Sequence, residues 1–194
     1  MFDSVVQPVI RDTHLTDAIM LPQPQPSQIR KSNGGKLSQP LLDAFRRLKA
    51  TQRSDIEIPQ VVFHRRYLTV AGIRYATRTL HRGNSSILLP SSVDANHKIP
   101  AHIEYILETP DGRQFLAVSL HRPLDAWAVQ HDPFRKYTAL GIQMWSSHID
   151  LKELYIVNPS VLEDSTHFAS WDMPWTINRQ QLDVSVLMPL SRVR

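Results

Sequence analysis

The sequence predicts a mainly β fold: an antiparallel barrel-like or sandwich domain, preceded by one short helix and a disordered N-terminal arm. From Gln60 onward, apolar and polar residues alternate with a period of two, and Val, Ile, Tyr and Thr are frequent. These short runs are separated by polar turns, and helical periodicity is scarce after residue 53. Such a pattern favours a barrel or a sandwich of antiparallel strands.

Residues 1–37 are predicted to form the disordered arm and linker. The stretch 21–40 contains four prolines, two adjacent glycines and many Gln and Ser residues. A segment of this composition buries too little apolar surface to offset the entropy that ordering costs.

Residues 38–53 are predicted to form a short amphipathic helix. Ser38 is a suitable N-cap, and Pro40 is tolerated in the first turn. Apolar residues follow at helical spacing and indicate one buried face; they are Leu41, Leu42, Phe45 and Leu48.

Residues 55–190 are predicted to form the β-rich domain. Two strands are expected between residues 60 and 80, divided at Gly72, and the turn Thr109-Pro110-Asp111-Gly112 predicts a hairpin. Further strands are expected at Ser86–Leu89, Ala101–Glu108, Gln114–His121, Ala139–Trp145, Glu153–Val157 and Leu182–Met188.

Charge is distributed unevenly along the 194 residues, whose net charge is +4. Residues 1–100 contain 14 Lys and Arg against 7 Asp and Glu, whereas residues 101–194 contain 8 against 11. A basic half favours an anionic partner, although an ordinary solvated surface is the simpler interpretation. The chain has no cysteine, no apolar run of membrane-spanning length and no signal-peptide pattern, which predicts an intracellular protein with no membrane association.

The stretch LHRGNSSILL is where a catalytic or phosphate-binding loop would be sought. A nucleophile elbow needs a second glycine after the serine, and a P-loop needs a GK[ST] sequence; both are missing around Gly83. We therefore predict a tight turn there, in which Gly83 and Asn84 tolerate left-handed backbone. No catalytic residue and no cofactor are predicted.

The nine histidines do not predict a metal site. His97 and His102 are separated by Pro100, which blocks a helix that would align them. His121, His131, His148 and His167 are too scattered for a local ligand pattern. Surface histidines or hydrogen-bonded core histidines are the favoured interpretation.

Two groups of basic residues are candidates for contacts with nucleic acid. In one continuous strand, Arg74, Arg78 and Arg82 would project from the same face, where they could contact phosphates or form an ordinary polar face. The exposed side of the predicted helix adds Arg46, Arg47 and Lys49. For a peptide partner such as a methylated histone tail, the candidates are the aromatic residues Trp145, Trp127 and Tyr137.

Four segments in order resemble a β-rich module of basidiomycete transposable-element proteins, those associated with Kyakuja-Dileera-Zisupton (KDZ) transposases. They are Gly72–Ala76 with His81–Ser85, the hairpin that begins Pro100–Ile106, Asp132–Tyr137, and the strand that ends Thr166–Ala169. The catalytic acids of the family's transposase core have no counterpart in this sequence. The order of predicted strands is also similar to bromo-adjacent-homology (BAH) modules, which bind chromatin.

These resemblances imply a non-catalytic binding module from a fungal mobile element, in contact with nucleic acid or a chromatin protein and located in the nucleus. Two other hypotheses stay open at this point: an enzyme of unknown class, and a self-association or structural domain. A close cluster of acid, base and nucleophile in a deep pocket would favour the enzyme.

Overall fold

A computed structural model of the chain describes residues 34–52, 57–90, 98–163 and 165–190. The fold is mainly β, with 51% of the described residues in strands, and its principal sheet is a curled antiparallel half-barrel. The predicted fold class is therefore confirmed. Most of the predicted arm, residues 1–33, lies outside the described residues.

Ten strands and three short helices make up the described fold. The strands are β1 Phe63–Arg65, β2 Tyr67–Val70, β3 Ile73–Ala76, β4 Ser86–Pro90, β5 Lys98–Glu108, β6 Gln114–His121, β7 Gln143–Ser146, β8 Ile149–Val157, β9 Thr166–Ile177 and β10 Gln180–Leu190. The helices are α1 Gln39–Gln52, α2 Arg82–Ser85 and α3 Ala126–Val129, and Thr138–Leu140 and Pro159–Leu162 form 3₁₀ turns.

The large sheet follows the order β7-β10-β9-β4-β5-β6-β8, with β1 paired to the far end of β5. Its two outermost strands, β7 and β8, are consecutive in sequence and joined only by Ser147 and His148. Three Cα steps span at most about 11 Å, so the sheet must curl until its ends approach each other. The Ser146 amide then donates to the Arg122 carbonyl at 3.0 Å, directly after β6.

Strand β6 shows how the two faces of the sheet differ. Leu116, Val118 and Leu120 face the cluster that the β2–β3 hairpin covers with Leu68 and Tyr75. The alternate residues face the other way, as the period of two requires. On that second face, Phe115 and Ala117 pack against α1, whereas Ser119 and His121 are buried polar residues.

Helix α1 confirms the helix predicted over residues 38–53. Leu41, Ala44 and Phe45 are buried, and the Phe45 ring meets Phe115 edge-on with 5.3 Å between centroids. Gly35, near the end of the predicted linker, forms a bridge with Val62. Among the described residues, no helix is long and apolar enough to cross a membrane.

Three local predictions need correction. The predicted left-handed turn at Gly83 and Asn84 is the right-handed helix α2, capped by the His81 side chain, whose Nδ1 accepts from the Asn84 amide at 3.1 Å. The strand predicted from Ala139 begins only at Gln143, after a 3₁₀ turn and a left-handed Gly141. The strands predicted from alternation did not include β9, whose period of two is obscured by Asp and Pro at exposed positions, and Thr166–Ala169, where the resemblance ends a strand, is the beginning of β9.

Candidate functional site

The three arginines predicted to share a strand face do not do so. Strand β3 ends at Ala76, the backbone turns at residues 78–80, and Arg82 opens α2. The Arg78 amide donates to the Ile103 carbonyl at 2.7 Å, which fixes the turn against β5. The interval between Arg74 and Arg82 is therefore not extended, and the predicted row is wrong.

Arg78 and Arg82 are paired with carboxylates instead. Arg78 lies 3.4 Å from Glu104, and Arg82 lies 3.5 Å from Asp172. Glu104 is at the β-bulge of β5, where the register shifts between Ile103 and Tyr105. A bulge redirects a side chain, and the Glu104 carboxylate also accepts from the Ser119 hydroxyl at 2.7 Å.

The three basic residues of α1 have different environments. Arg46 is bonded to Asp43 at 3.0 Å on the same helix. Arg47 donates to the Leu154 carbonyl at 2.6 Å and thus attaches α1 to β8. Lys49 is exposed. Of these residues, Arg47 has a clear structural role.

Arg74 alone of the predicted row lies on an open surface without a carboxylate. Its guanidinium carbon is 3.7 Å from the centroid of the Tyr67 ring, a close cation–π contact across the β2–β3 hairpin. Arg66 is exposed directly before Tyr67. No ion pair between described residues includes Arg66 or Arg74.

A second aromatic group adjoins this hairpin. The rings of His64 and Tyr105 meet at 5.7 Å. His64 pairs with Leu107 and Tyr105 pairs with Ala117, so both rings lie on the second face of the sheet. Arg66 connects β1 to Tyr67 along the chain. We call these five exposed residues the basic-aromatic surface: His64, Arg66, Tyr67, Arg74 and Tyr105. Of the five, only Arg74 is a candidate from the sequence, because the contribution of β5 to this surface depends on strand pairing.

The three aromatic residues proposed for a peptide cage differ in how exposed their side chains are. Trp145 is buried in a cluster with Leu88, Phe168 and Leu187, so it is a core residue. Trp127 is half-buried, and Tyr137 is exposed with Lys136 at 5.1 Å from its ring. The prediction that Trp145 lines a cage is therefore not supported by its position.

The second face of the sheet contains a chain of buried polar groups. Ser86 Oγ lies 3.1 Å from His102 Nδ1, and His102 Nε2 lies 3.0 Å from His121 Nε2. His121 Nδ1 lies 3.2 Å from the Ser146 carbonyl oxygen. This histidine chain joins β4, β5 and β6 to the end of β7. The chain was not predicted from the sequence, because the two histidines are 19 residues apart and meet only through strand pairing.

Both histidines of the chain favour the neutral form. Burial, together with the neighbouring His121 and the charges of Arg78 and Arg82, lowers the pKa of His102 to about 3. Burial also lowers the pKa of His121, and the Ser146 carbonyl and the Asp172 carboxylate oppose that shift.

A cleft of about 680 Å³ lies where the ends of the sheet meet. Its lining comes from Arg78, residues 122–125, residues 146–149, Leu151 and residues 181–183. Ser146 belongs both to this lining and to the histidine chain, whereas Ser86 is buried and is not part of the lining. The cleft has carboxylates as well as arginines, since Asp125 and Asp183 line it and Arg122 contacts Asp150 at 3.2 Å.

Within the described part of the chain, no group of three or more His, Cys, Asp or Glu side chains could hold a metal ion. No protein-family model matches this chain, and searches of curated proteins and of solved structures give no match either.

Proposed function

We propose that this protein is a non-catalytic binding module that contacts nucleic acid, single strands in preference to duplexes, through the basic-aromatic surface. The observation that carries the proposal is the exposed stack of Arg74 on Tyr67. Proteins that bind single strands combine basic groups that follow the phosphates with aromatic rings on which bases stack. Arg66 and Arg74 supply the first kind of group, and Tyr67 and Tyr105 supply the second.

The charge of this surface supports an anionic partner. Arg65 is neutralised by Glu108, with contacts of 3.0 and 2.5 Å from two guanidinium nitrogens. Arg66 and Arg74 have no such partner among the described carboxylates, so their charges are available to phosphates. The cleft is a weaker candidate for nucleic acid because its arginines are paired and aspartates share its lining.

The burial of Ser86 and His102 supports a non-catalytic role. Ser86 and His102 form a serine–histidine contact, yet both are at most 3% exposed. A nucleophile must reach its substrate as well as its base. The mobile-element origin and the nuclear location remain predictions from the sequence resemblance alone.

The experiment is fluorescence anisotropy with a labelled oligothymidylate and with a duplex of equal length, over a series of salt concentrations. We expect tighter binding of the single strand and a logarithm of affinity that falls linearly with the logarithm of salt concentration. Arg66→Ala with Arg74→Ala should lower that slope by about 1.4, because each single-strand phosphate contact contributes about 0.7.

The matched control is Arg46→Ala with Arg113→Ala, which removes two arginines that are paired with Asp43 and Asp111. It should leave the slope unchanged. Absence of binding at low salt, or equal slopes for the two double variants, would refute the proposed function.

A further inference from the structure

The hydrogen positions in the histidine chain can be deduced from its partners. The Ser146 carbonyl can only accept, so His121 Nδ1 must carry a proton. The two Nε2 atoms are 3.0 Å apart, and one proton must lie between them, because two bare nitrogens repel and two N–H groups collide. Each state of the chain must obey both conditions.

With two neutral imidazoles, one arrangement satisfies every bond along the chain from Ser86 through His102 and His121 to Ser146, and in it the Ser86 hydroxyl does not donate to the Arg82 carbonyl. His121 carries its proton on Nδ1, so its Nε2 accepts, and His102 must then donate from Nε2. His102 Nδ1 then carries no proton, and it accepts a hydrogen bond from the Ser86 hydroxyl. The neutral chain therefore contains the two histidines as opposite tautomers.

One added proton is also accommodated without breaking a bond. His102 Nδ1 then carries a proton and donates to Ser86 Oγ. The Ser86 hydroxyl turns to the Arg82 carbonyl, which lies 2.9 Å away. A second added proton cannot be bound, because both Nε2 atoms would then carry protons and they are only 3.0 Å apart.

The charged groups that face the chain come from every neighbouring element. Arg78 and Arg82 act on both histidines and oppose protonation, and Asp172 on β9 favours protonation of His121. Glu104 on β5 reaches this region through Ser119 and Arg78. Two facing Nε2 atoms can also indicate a metal site, but no third described ligand completes one.

We propose that the Ser86–His102–His121 chain is a buried proton-binding site that takes up one proton and not two, and that it holds the ends of the sheet together in both permitted states. In each state the His121 Nδ1–H bond to Ser146 is kept, so the seam between β6 and β7 stays closed. Uptake of a second proton requires the seam to open.

The test is nitrogen-detected NMR of the full chain with ¹⁵N-labelled histidine. At neutral pH we expect His121 to be protonated on Nδ1, His102 on Nε2, and a scalar coupling between the two Nε2 atoms. On acidification the folded pair should take up one proton with that coupling retained. Equal tautomers, an absent coupling, or two protons bound by the folded pair would overturn the proposal.

Ser86→Ala and Ser85→Ala form a matched pair of variants. Both hydroxyl oxygens lie within 2.9 Å of the Arg82 carbonyl oxygen, but of the two only Ser86 contacts His102. Ser86→Ala should move proton uptake to lower pH, because the charged form loses its acceptor, whereas Ser85→Ala should titrate like wild type. Equal titrations for the two variants would contradict the proposal, and the wild-type spectra decide it by themselves if Ser86→Ala does not fold.

Discussion

The outer face of the β2–β3 hairpin and the surroundings of the histidine chain both contain arginines, yet the arginines differ in what they can do. On the hairpin, Arg74 rests on an aromatic ring and has no carboxylate partner among the described residues. Near the histidine chain, Arg78 is paired with Glu104 at a partly buried site, and Arg82 contacts Asp172 at an exposed one. Spacing along the sequence does not distinguish these cases, because the partner carboxylates come from distant strands.

Paired arginines such as Arg78 stabilise the fold, whereas an arginine such as Arg74, unpaired among the described residues, is available to a ligand. An arginine paired at a partly buried site contributes to folding and leaves an uncompensated charge behind when its partner is removed. An arginine on an exposed ring contributes little to folding and keeps its charge for a partner. The following predictions test that separation.

The largest effect is expected for Glu104→Ala. The change removes the carboxylate that accepts from the Ser119 hydroxyl and pairs with Arg78. The Glu104 side chain is only 10% exposed. The free energy of unfolding should fall by about 2–4 kcal/mol. Arg74→Ala, measured beside it by urea denaturation, should change stability by less than about 0.5 kcal/mol. Equal losses would remove the distinction between the two regions.

The histidine chain should also make stability depend on pH. The pKa of His102 is about 3 in the folded chain, below its ordinary value, so the unfolded chain binds the proton first. Stability is then complete above pH 6.5 and is lost as the pH falls toward 3. His102 alone should cost about 2 kcal/mol between pH 7 and pH 5, and His121 acts in the same direction.

Urea denaturation at a series of pH values measures this dependence. His148→Gln is the control, since His148 is exposed in the same cleft. It should show the same pH dependence as wild type. A wild-type stability that is flat between pH 7 and pH 5 would mean that the histidine chain is not buried in the neutral form.

On the hairpin, Tyr67→Ala should weaken binding of the oligothymidylate by about 1–3 kcal/mol, the range for one stacked base. Tyr67 is 42% exposed, so the change should have a small effect on stability. Tyr137→Ala is the matched control because Tyr137 is a similarly exposed tyrosine with a lysine beside it. Equal effects of the two changes on affinity would argue against stacking on Tyr67.

The smallest effect is expected for Arg47→Met, a residue that the sequence assigned to nucleic acid. The change removes one hydrogen bond to the Leu154 carbonyl and should lower the free energy of unfolding by about 1 kcal/mol. Oligonucleotide affinity and its salt slope should not change. A flatter salt slope would indicate that the basic residues of α1 contact the nucleic acid.

Local patterns were sufficient to predict much of the fold. The alternation in β6 and the turn at Thr109–Gly112 are encoded within a few residues, and the structure has both, with Gly112 in the left-handed region. The stripe of α1 was predictable for the same reason. In contrast, β9 contains Asp172 and Pro174 at exposed positions, which obscure its period of two.

The candidate sites were less predictable because they depend on which strands pair. Tyr105 joins the basic-aromatic surface through the β1–β5 register, and His102 meets His121 through the pairing of β5 with β6. The bulge at Glu104 shifts one register by a residue and supplies the partner of Arg78. None of these relations leaves a pattern in a short stretch of sequence.

The most direct test of the central claim is an amide chemical-shift map of the ¹⁵N-labelled chain titrated with the oligothymidylate at low salt. The account predicts shifts concentrated at residues 64–76 and at Tyr105, with residues 122–125 and 146–149 unchanged. Shifts concentrated in the cleft residues, with the hairpin unaffected, would contradict it.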